Sequence, residues 1–510
     1  MKRALATIAA AFLCACSTMH NREAHSRLIN DAEAGNYAEA AKTAADGNFY
    51  PEQRNDLLRR MERGSAYRYA GMNYRALTEF DAAKKISDDM YTKRISAAAK
   101  SVLASNQSEF RGERFERSLI RFYQSLLHYK LYLSGKHEAW EDADGKHEAK
   151  ILPDAERRAH LAAAKSVLSE WDSLLTQYKI ETEGEPEYKA DATENMWGAF
   201  VHASTESATD RQIALGLYRQ AKEVLSRNYN IYQSFNAKSG EFAKDFAELG
   251  SMPAAETESK YVAPTVEAKA LGLLIDEKLS ALLSGARDNV AIIVEDGMVA
   301  EKKAKEHKLD FSPQKITAMS RAALIVGGVD AYFGTFAATY LLSDITYDLP
   351  YIEAKAAPKI EAKITGPSGR ETALPLAITS PLSDMAARDI GGKIAGEKAV
   401  LITRLTSEYI VAAWSAYKTY KEIRRKNNSP LGELLAVSSA VATFKGLGAA
   451  INESNRADIR QWKLLPGNLR FSSVRLEPGE YTLKLSVSGG ATLERKFTVG
   501  NDPVVVDVKI

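Results

Sequence analysis

The chain is predicted to be α+β: an N-terminal α-helical solenoid, then a mixed β/α region ending in a small antiparallel β module. Three observations predict it. From about residue 24 to 250 the sequence is rich in Ala, Glu, Lys, Arg and Leu, with few prolines and long apolar-periodic segments. Past the polar, proline-containing stretch SMPAAETESKYVAPT the texture changes to alternating, strand-like runs. The tail, LRFSSVRLEPGEYTLKLSVSGGATLERKFTV, places turn dipeptides between segments that alternate apolar and polar.

Composition sets the outer limits. The 510 residues are 45% hydrophobic and 26% charged, the balance of an ordinary globular protein with room for two or three domains. A net charge of +2 implies no polyanionic partner, and nucleic acid is excluded on that ground.

The first element is a leader. Lys2 and Arg3 form a positive n-region, Ala4 to Leu13 an apolar run, and Ala15 is a small residue before Cys16. The run is too short to span a bilayer, which takes roughly 20 residues. The only two cysteines, Cys14 and Cys16, are poorly placed to bridge each other, because adjacent Cβ vectors diverge. No further Cys or His stands near enough to complete a metal site. Leu13-Cys14-Ala15-Cys16 resembles the lipobox of bacterial lipoproteins. That resemblance implies a signal peptide over 1–15, lipidation of Cys16 and, with Ser17 following, an outer-membrane destination. Several acyl chains hold a protein stably where one is only marginal.

A helical domain is expected over 16–250. In GSAYRYAGMNYRALTEFDAA, the residues Gly64, Tyr67, Gly71, Ala76, Phe80 and Ala83 fall at the spacings of a tetratricopeptide repeat. The small residues let two helices approach, Tyr67 and Phe80 fill the gap between them, and Gly71 makes the turn. Gly35, Tyr37 and Ala40 repeat the pattern upstream, and Ala214, Tyr218 and Ala221 repeat it downstream. A stripe of Phe115, Phe122, Tyr123, Tyr129 and Tyr132 reads as inter-helix packing. Stacked repeats bury faces that no single unit could bury, and the concave face is the first candidate surface for a protein partner. GKHEAWEDADGKHEAK reads as a solvated acidic loop rather than a metal site.

A mixed region is expected over 266–382, with NVAIIVEDG as a strand ending in an Asp296-Gly297 turn and VAEKKAKEHKLDF as its partner. TYDLPYIEAKAAPKIEAKIT adds one or two strands. The apolar stretch 322–342 has Asp330 near its middle and reads as a buried or membrane-facing helical insertion. Long helices follow over 383–455, and antiparallel strands over 463–510, with Tyr481 as a corner residue.

Four segments together resemble a poorly characterised family of bacterial envelope lipoproteins, with tetratricopeptide-like helices first and a mixed β/α region last. They are the lipobox, Arg111-Gly112-Glu113-Arg114-Phe115-Glu116, the strand VAIIVEDGMVAEK, and Arg456-Ala457-Asp458-Ile459-Arg460-Gln461-Trp462 with Leu465-Pro466 behind it. The resemblance implies location and architecture and gives no activity; an envelope role such as supporting outer-membrane or peptidoglycan assembly is the expectation set beside it.

Chemistry is harder to find. The sequence has no G-x-S-x-G elbow, no H-E-x-x-H, no P-loop and no Rossmann fingerprint. No catalytic residue, metal ligand set or cofactor is assigned. Arg456, Asp458, Arg460 and Trp462 form the densest polar-aromatic cluster, expected to be an ion-paired interdomain clasp with the indole against the sheet, or else a partner site. The resulting expectation is a non-catalytic outer-membrane lipoprotein facing the periplasm that binds an envelope protein through its repeats. The alternative is a protein that binds or hydrolyses cell-wall or surface glycans through a carboxylate-rich cleft.

Overall fold

The computed structural model describes residues 23–96, 108–142, 145–181, 188–205, 207–244, 252–309, 311, 333–342, 345–490 and 492–510. Cys14 and Cys16, and most of the apolar stretch 322–342, lie outside the described residues.

The N-terminal region is helical. Helix α1 spans 23–33, and α2 (Tyr37–Ala45), α3 (Asp56–Tyr69), α4 (Asn73–Ser96) and α5 (Arg114–Ser134) follow, each packed on the one before from α3 onward. Spacing dictates the closest approach. A Cβ on Gly64 would stand 2.8 Å from Cζ of Phe80, so only glycine admits that ring. Ala76, Phe80 and Ala83 are fully buried beside Tyr67. Gly71 turns the chain at φ +79° and Gly35 does the same at +74°, a conformation that favours glycine. The aromatic stripe of α5 is inter-helix packing: Phe115, Phe122, Tyr123 and Tyr129 are buried.

After α5, the stretch read as a solvated loop forms two short antiparallel ladders. Strand β1 (Lys136–His137) pairs with β4 (Lys150–Ile151), and β2 (Trp140–Asp142) with β3 (Gly145–His147). Glu138 accepts from the backbone amides of Tyr74 (2.7 Å) and Arg75 (3.1 Å), so this insertion caps the start of α4. Helices α6 (Asp154–Glu181), α7 (Ala192–Ala203) and α8 (Ala208–Arg227) complete the layer, and α9 (Val266–Leu283) packs on α8.

The β region departs from expectation in its pairing. Strand β5 (Val290–Asp296) does not pair with β6 (Lys302–Lys308); β6 pairs with β7 (Thr346–Ile352). The remaining strands are β8 (Ile360–Thr365), β9 (Glu371–Leu374), β10 (Ala377–Ser380), β11 (Asn468–Val474), β12 (Gly479–Val487), β13 (Thr492–Val499) and β14 (Val504–Lys509). One sheet runs β10-β11-β5-β14, with β14 parallel to β5, and a second runs β13-β12-β8-β9. The tail strands therefore form no module of their own: β11 and β14 flank β5, and β12 pairs with β8, so segments 266–382 and 463–510 interleave in both sheets. The physical reason lies in β5, whose seven residues are all buried and must be covered on both edges and both faces. The antiparallel hairpin of β12 and β13 forms as expected, with Ser486 opposite Thr492, and the Tyr481 hydroxyl donates to the carbonyl of Glu477 at 2.9 Å.

Alternation along β5 joins two cores. Ala291 and Ile293 face the helices, whereas Val290, Ile292 and Val294 face the second sheet. The result is helices, sheet and sheet in three layers. The helical core and the inner face of the first sheet are continuous, crossing the proline-containing stretch at 250–265.

A long hairpin completes the fold. Helix α10 (Phe333–Tyr340) and the β6–β7 ladder pack on α11 (Leu382–Lys426), which pairs with α12 (Pro430–Ser454). At 1.5 Å per residue, the 45 residues of α11 extend roughly 65–70 Å. Ser429 caps α12 through its hydroxyl, with Pro430 at the first helical position, where its missing N–H costs nothing. Helix α12 is the one among the described residues long and apolar enough to cross a membrane, yet only 22% of its apolar window is buried.

Candidate functional site: a buried junction between helices and sheet

Three of the short segments singled out from sequence, far apart in the chain, meet at one place. Residues 111–116 enter α5, 290–302 form β5 and the turn after it, and 456–466 cross the gap between α12 and β11. They converge where α3 and α5 face the sheet.

The segment after α12 lies extended along the helices and is held by carboxylates. Glu62 on α3, fully buried, accepts from the backbone amides of Lys463 (2.8 Å) and Leu464 (3.1 Å). Glu116 on α5 accepts from the amide of Trp462 (2.7 Å) with one oxygen and from Glu113 (2.6 Å) with the other, the second bond belonging to the capping box of α5. The Trp462 indole is fully buried, with its ring 5.7 Å from Phe80 and 5.6 Å from Tyr123, and its Nε1 donates to Ser65 Oγ at 3.0 Å. The indole thus packs against two aromatics of the helical layer, in the core that this layer shares with the sheet. Its nearest rings are on helices because Glu62 and Glu116 hold the flanking backbone there.

The other cluster residues divide. Asp458 binds Arg460 at both Nε (2.9 Å) and Nη2 (2.6 Å), a bidentate pair. Arg460 also donates to Asn55 Oδ1 (2.8 Å) and to the carbonyl of Ser108 (2.9 Å), tying the segment to the base of α3. Gln461 bridges to the turn after β5, donating to the Ala300 carbonyl and accepting from the Lys302 amide, each at 2.9 Å. Arg456 stands apart, exposed and paired with Glu453 at 3.2 Å.

Beside this segment lies a second ionic set that sequence reasoning missed. Arg68 on α3 places Nη2 2.6 Å from both oxygens of Glu295 at the end of β5, and Nη1 3.2 Å from Asp507 on β14. Lys130 of α5 reaches Asp507 at 3.1 Å. The hydroxyls of Tyr69 (2.7 Å) and Tyr123 (3.2 Å) also reach Glu295. One residue on, Asp296 points to the opposite face and accepts from Asn468 Nδ2 and Arg470 Nε, each at 2.6 Å. Its role is a buried ion pair inside the sheet as well as a turn, with Gly297 following at φ +59°. The available signal was the placement of two acids directly after five apolar strand residues, since acids in a buried strand need partners.

Burial and neighbours set the charges. Burial lifts Glu62 to about 8, against the pull of the amides it accepts from. Glu116 rises to about 7 through burial, with the charge of Glu113 adding to it. Burial would raise Glu113 as well, but the ammonium groups of Lys302 (2.7 Å) and Lys393 (3.1 Å) override it and hold that carboxyl far below the usual range. Asp389, which accepts from the Arg114 amide at 3.0 Å, rises to about 6 through burial and then through Glu113. Near the junction, Lys302, Asp348, Lys393, Arg404, Arg456 and Asp458 line a recess between β7 and α11. Among the described residues, no group of three or more His, Cys, Asp or Glu side chains is placed to hold a metal.

Chemically, this junction spends its polar atoms on one another and on backbone. Comparison of the chain with known protein families, with curated proteins and with solved structures finds no match.

Proposed function

We propose that the chain is a non-catalytic, lipid-anchored cell-envelope protein, attached through Cys16 to the outer membrane and facing the periplasm. In this reading its helices are degenerate tetratricopeptide-like repeats that bind an envelope protein, in support of envelope or outer-membrane assembly. The observation that carries it is the use the helical layer makes of its inner face. Glu62 and Glu116 grip three consecutive backbone amides, at Trp462, Lys463 and Leu464, while Phe80 and Tyr123 seat an aromatic anchor. That is recognition of an extended chain, performed on the protein's own segment. A partner then meets the outward side, where Ile180 on α6 and Ile213 on α8 are exposed.

The test is in-cell photo-crosslinking from positions 180 and 213. Capture of one envelope protein from both sites is expected, and absence of capture from either would remove the reading. The anchor is tested separately: Cys16→Ala should leave a product that is uncleaved and carries no diacylglyceryl mass.

A second reading, glycan binding or hydrolysis, is favoured by the recess that Asp348 and Asp458 share with the lysines around Glu113. Peptidoglycan fragments that shift the resonances or the melting of the wild-type chain, but not of Asp348→Asn, would support it.

A further inference from the structure

The free end of the α11–α12 hairpin carries two features that belong together. The last turns of α11 bear Lys418, Lys421, Arg424, Arg425 and Lys426, against Glu422 and Glu433 as the acids nearby, a net charge of +3 over residues 414–435. The first turns of α12 expose Leu431 (66%), Leu434 (67%) and Leu435 (49%), spaced i, i+3 and i+4 so that they share one face. Two rings lie beneath the cations: the half-buried Trp414 under Lys418 (5.7 Å) and the buried Tyr417 under Lys421 (5.6 Å). The end itself is rigidly built, since Glu433 accepts from Tyr420 at 2.9 Å and pairs with Arg424 at 2.5 Å across the two helices.

Exposed leucines, aromatic rings with polar edges and unbalanced cations are the three components of a surface that docks on an anionic bilayer. Leucines enter the acyl boundary, the half-buried Trp414 sits at headgroup level, and each Lys or Arg near the surface adds about 1 kcal/mol. We infer that the tip of this hairpin is a docking surface for an anionic lipid bilayer, independent of any lipid on Cys16. The hairpin lies on or dips into the membrane rather than crossing it. A spanning hairpin would have to carry Lys418, Lys421, Arg424, Arg425 and Lys426 through the hydrocarbon, whereas a docked tip keeps them at the headgroups.

The test uses the full chain with Cys14→Ser and Cys16→Ser, so that Leu434→Cys supplies the single thiol for an environment-sensitive fluorophore. Vesicles of phosphatidylethanolamine and phosphatidylglycerol (3:1) are titrated against vesicles of phosphatidylcholine. The label is expected to shift to the blue and brighten several-fold on the phosphatidylglycerol vesicles and to stay near its aqueous value on phosphatidylcholine. Reversing Lys421, Arg425 and Lys426 to Glu should weaken that partitioning by at least about 100-fold, the loss expected from removing three cations alone. The same label at Ile213→Cys, on α8, should remain aqueous, which separates docking of the tip from attachment by the leader. These substituted side chains are exposed, so an unchanged far-ultraviolet spectrum and melting midpoint accompany the result. An aqueous signal at position 434 on anionic vesicles would overturn the inference. So would partitioning indifferent to the three charge reversals, or a shift that follows protein concentration without lipid, which would assign the face to a second copy of the chain.

Discussion

Trp462→Ala is the perturbation that most directly interrogates the junction. The indole is fully buried, and a tryptophan removes roughly 150–250 Å² from water, which at about 25 cal/mol per Å² is ~4–6 kcal/mol of transfer energy. Truncations of large aromatics in cores cost ~3–5 kcal/mol once partial collapse is allowed. The substitution also leaves Ser65 Oγ without the indole donor at 3.0 Å, a further ~1 kcal/mol. We expect a loss of about 4–5 kcal/mol, a large share of the ~5–15 kcal/mol that holds a typical domain. The loss should be distributed in a specific way. Residues 460–464 are gripped by α5 and by α3 and its base, and lead into β11, so the helical layer and the sheet should come apart together. Urea unfolding followed by circular dichroism gives the magnitude, and limited proteolysis between α12 and β11 gives the place. A loss below about 1 kcal/mol, with proteolysis unchanged at residues 456–465, would refute the argument that this segment couples the layers.

Other outcomes follow from the same geometry. Gly64→Ala should destabilise by ~1–3 kcal/mol, measured by the same unfolding, because the new methyl group meets the Phe80 ring at 2.8 Å, and Gly64→Ala with Phe80→Leu should recover part of it. Arg68→Met should cost about 3–5 kcal/mol by stranding Glu295 and Asp507, while Arg68→Met with Glu295→Leu should cost far less; a double-mutant cycle reads the difference. Stability should fall as pH rises from about 5 to 8. Glu62 and Glu116 have folded values of about 8 and about 7, above their unfolded values, so the native state holds protons that the unfolded chain has released. Glu62→Gln should flatten that slope, and should also lower stability near pH 5, since its amide NH₂ faces a backbone N–H. Melting midpoints across the pH range measure both effects.

Much of the local structure was legible, for reasons that can be assigned to residues. Gly64, Ala76, Ala83 and Phe80 announce a close helix crossing because their sizes are complementary at fixed offsets. Gly71 announces a turn because few other residues take its backbone angle. The hairpin of β12 and β13 was readable from strict alternation around Gly489-Gly490. The partner of β6 was not, because a polar strand with alternating lysines fits many edges equally well. The ion pairs of Glu295 and Asp296 were not readable for a related reason. A turn explains an acid beside a glycine locally, and the arginines that neutralise the pair, Arg68 and Arg470, lie more than a hundred residues away on either side.

The candidate junction shows the same division. The density of charge and aromatic character at 456–462 marked the segment as an interdomain contact, and the stretch holding Glu113 and Glu116 was readable as part of a long helix. That Glu116 also holds the Trp462 amide could not be read from either stretch alone.

By itself, the sequence determined which segments coil, which extend, where they turn, and which helices approach within a glycine's width, since each of these depends on neighbours a few positions apart. Tertiary structure alone decided that the tail strands flank β5, that the helical layer holds the chain's own Trp462, and that leucines and cations gather at one hairpin tip. Those outcomes depend on covering buried strands and charges with partners hundreds of residues distant, and periodicity carries no information about which distant partner does so.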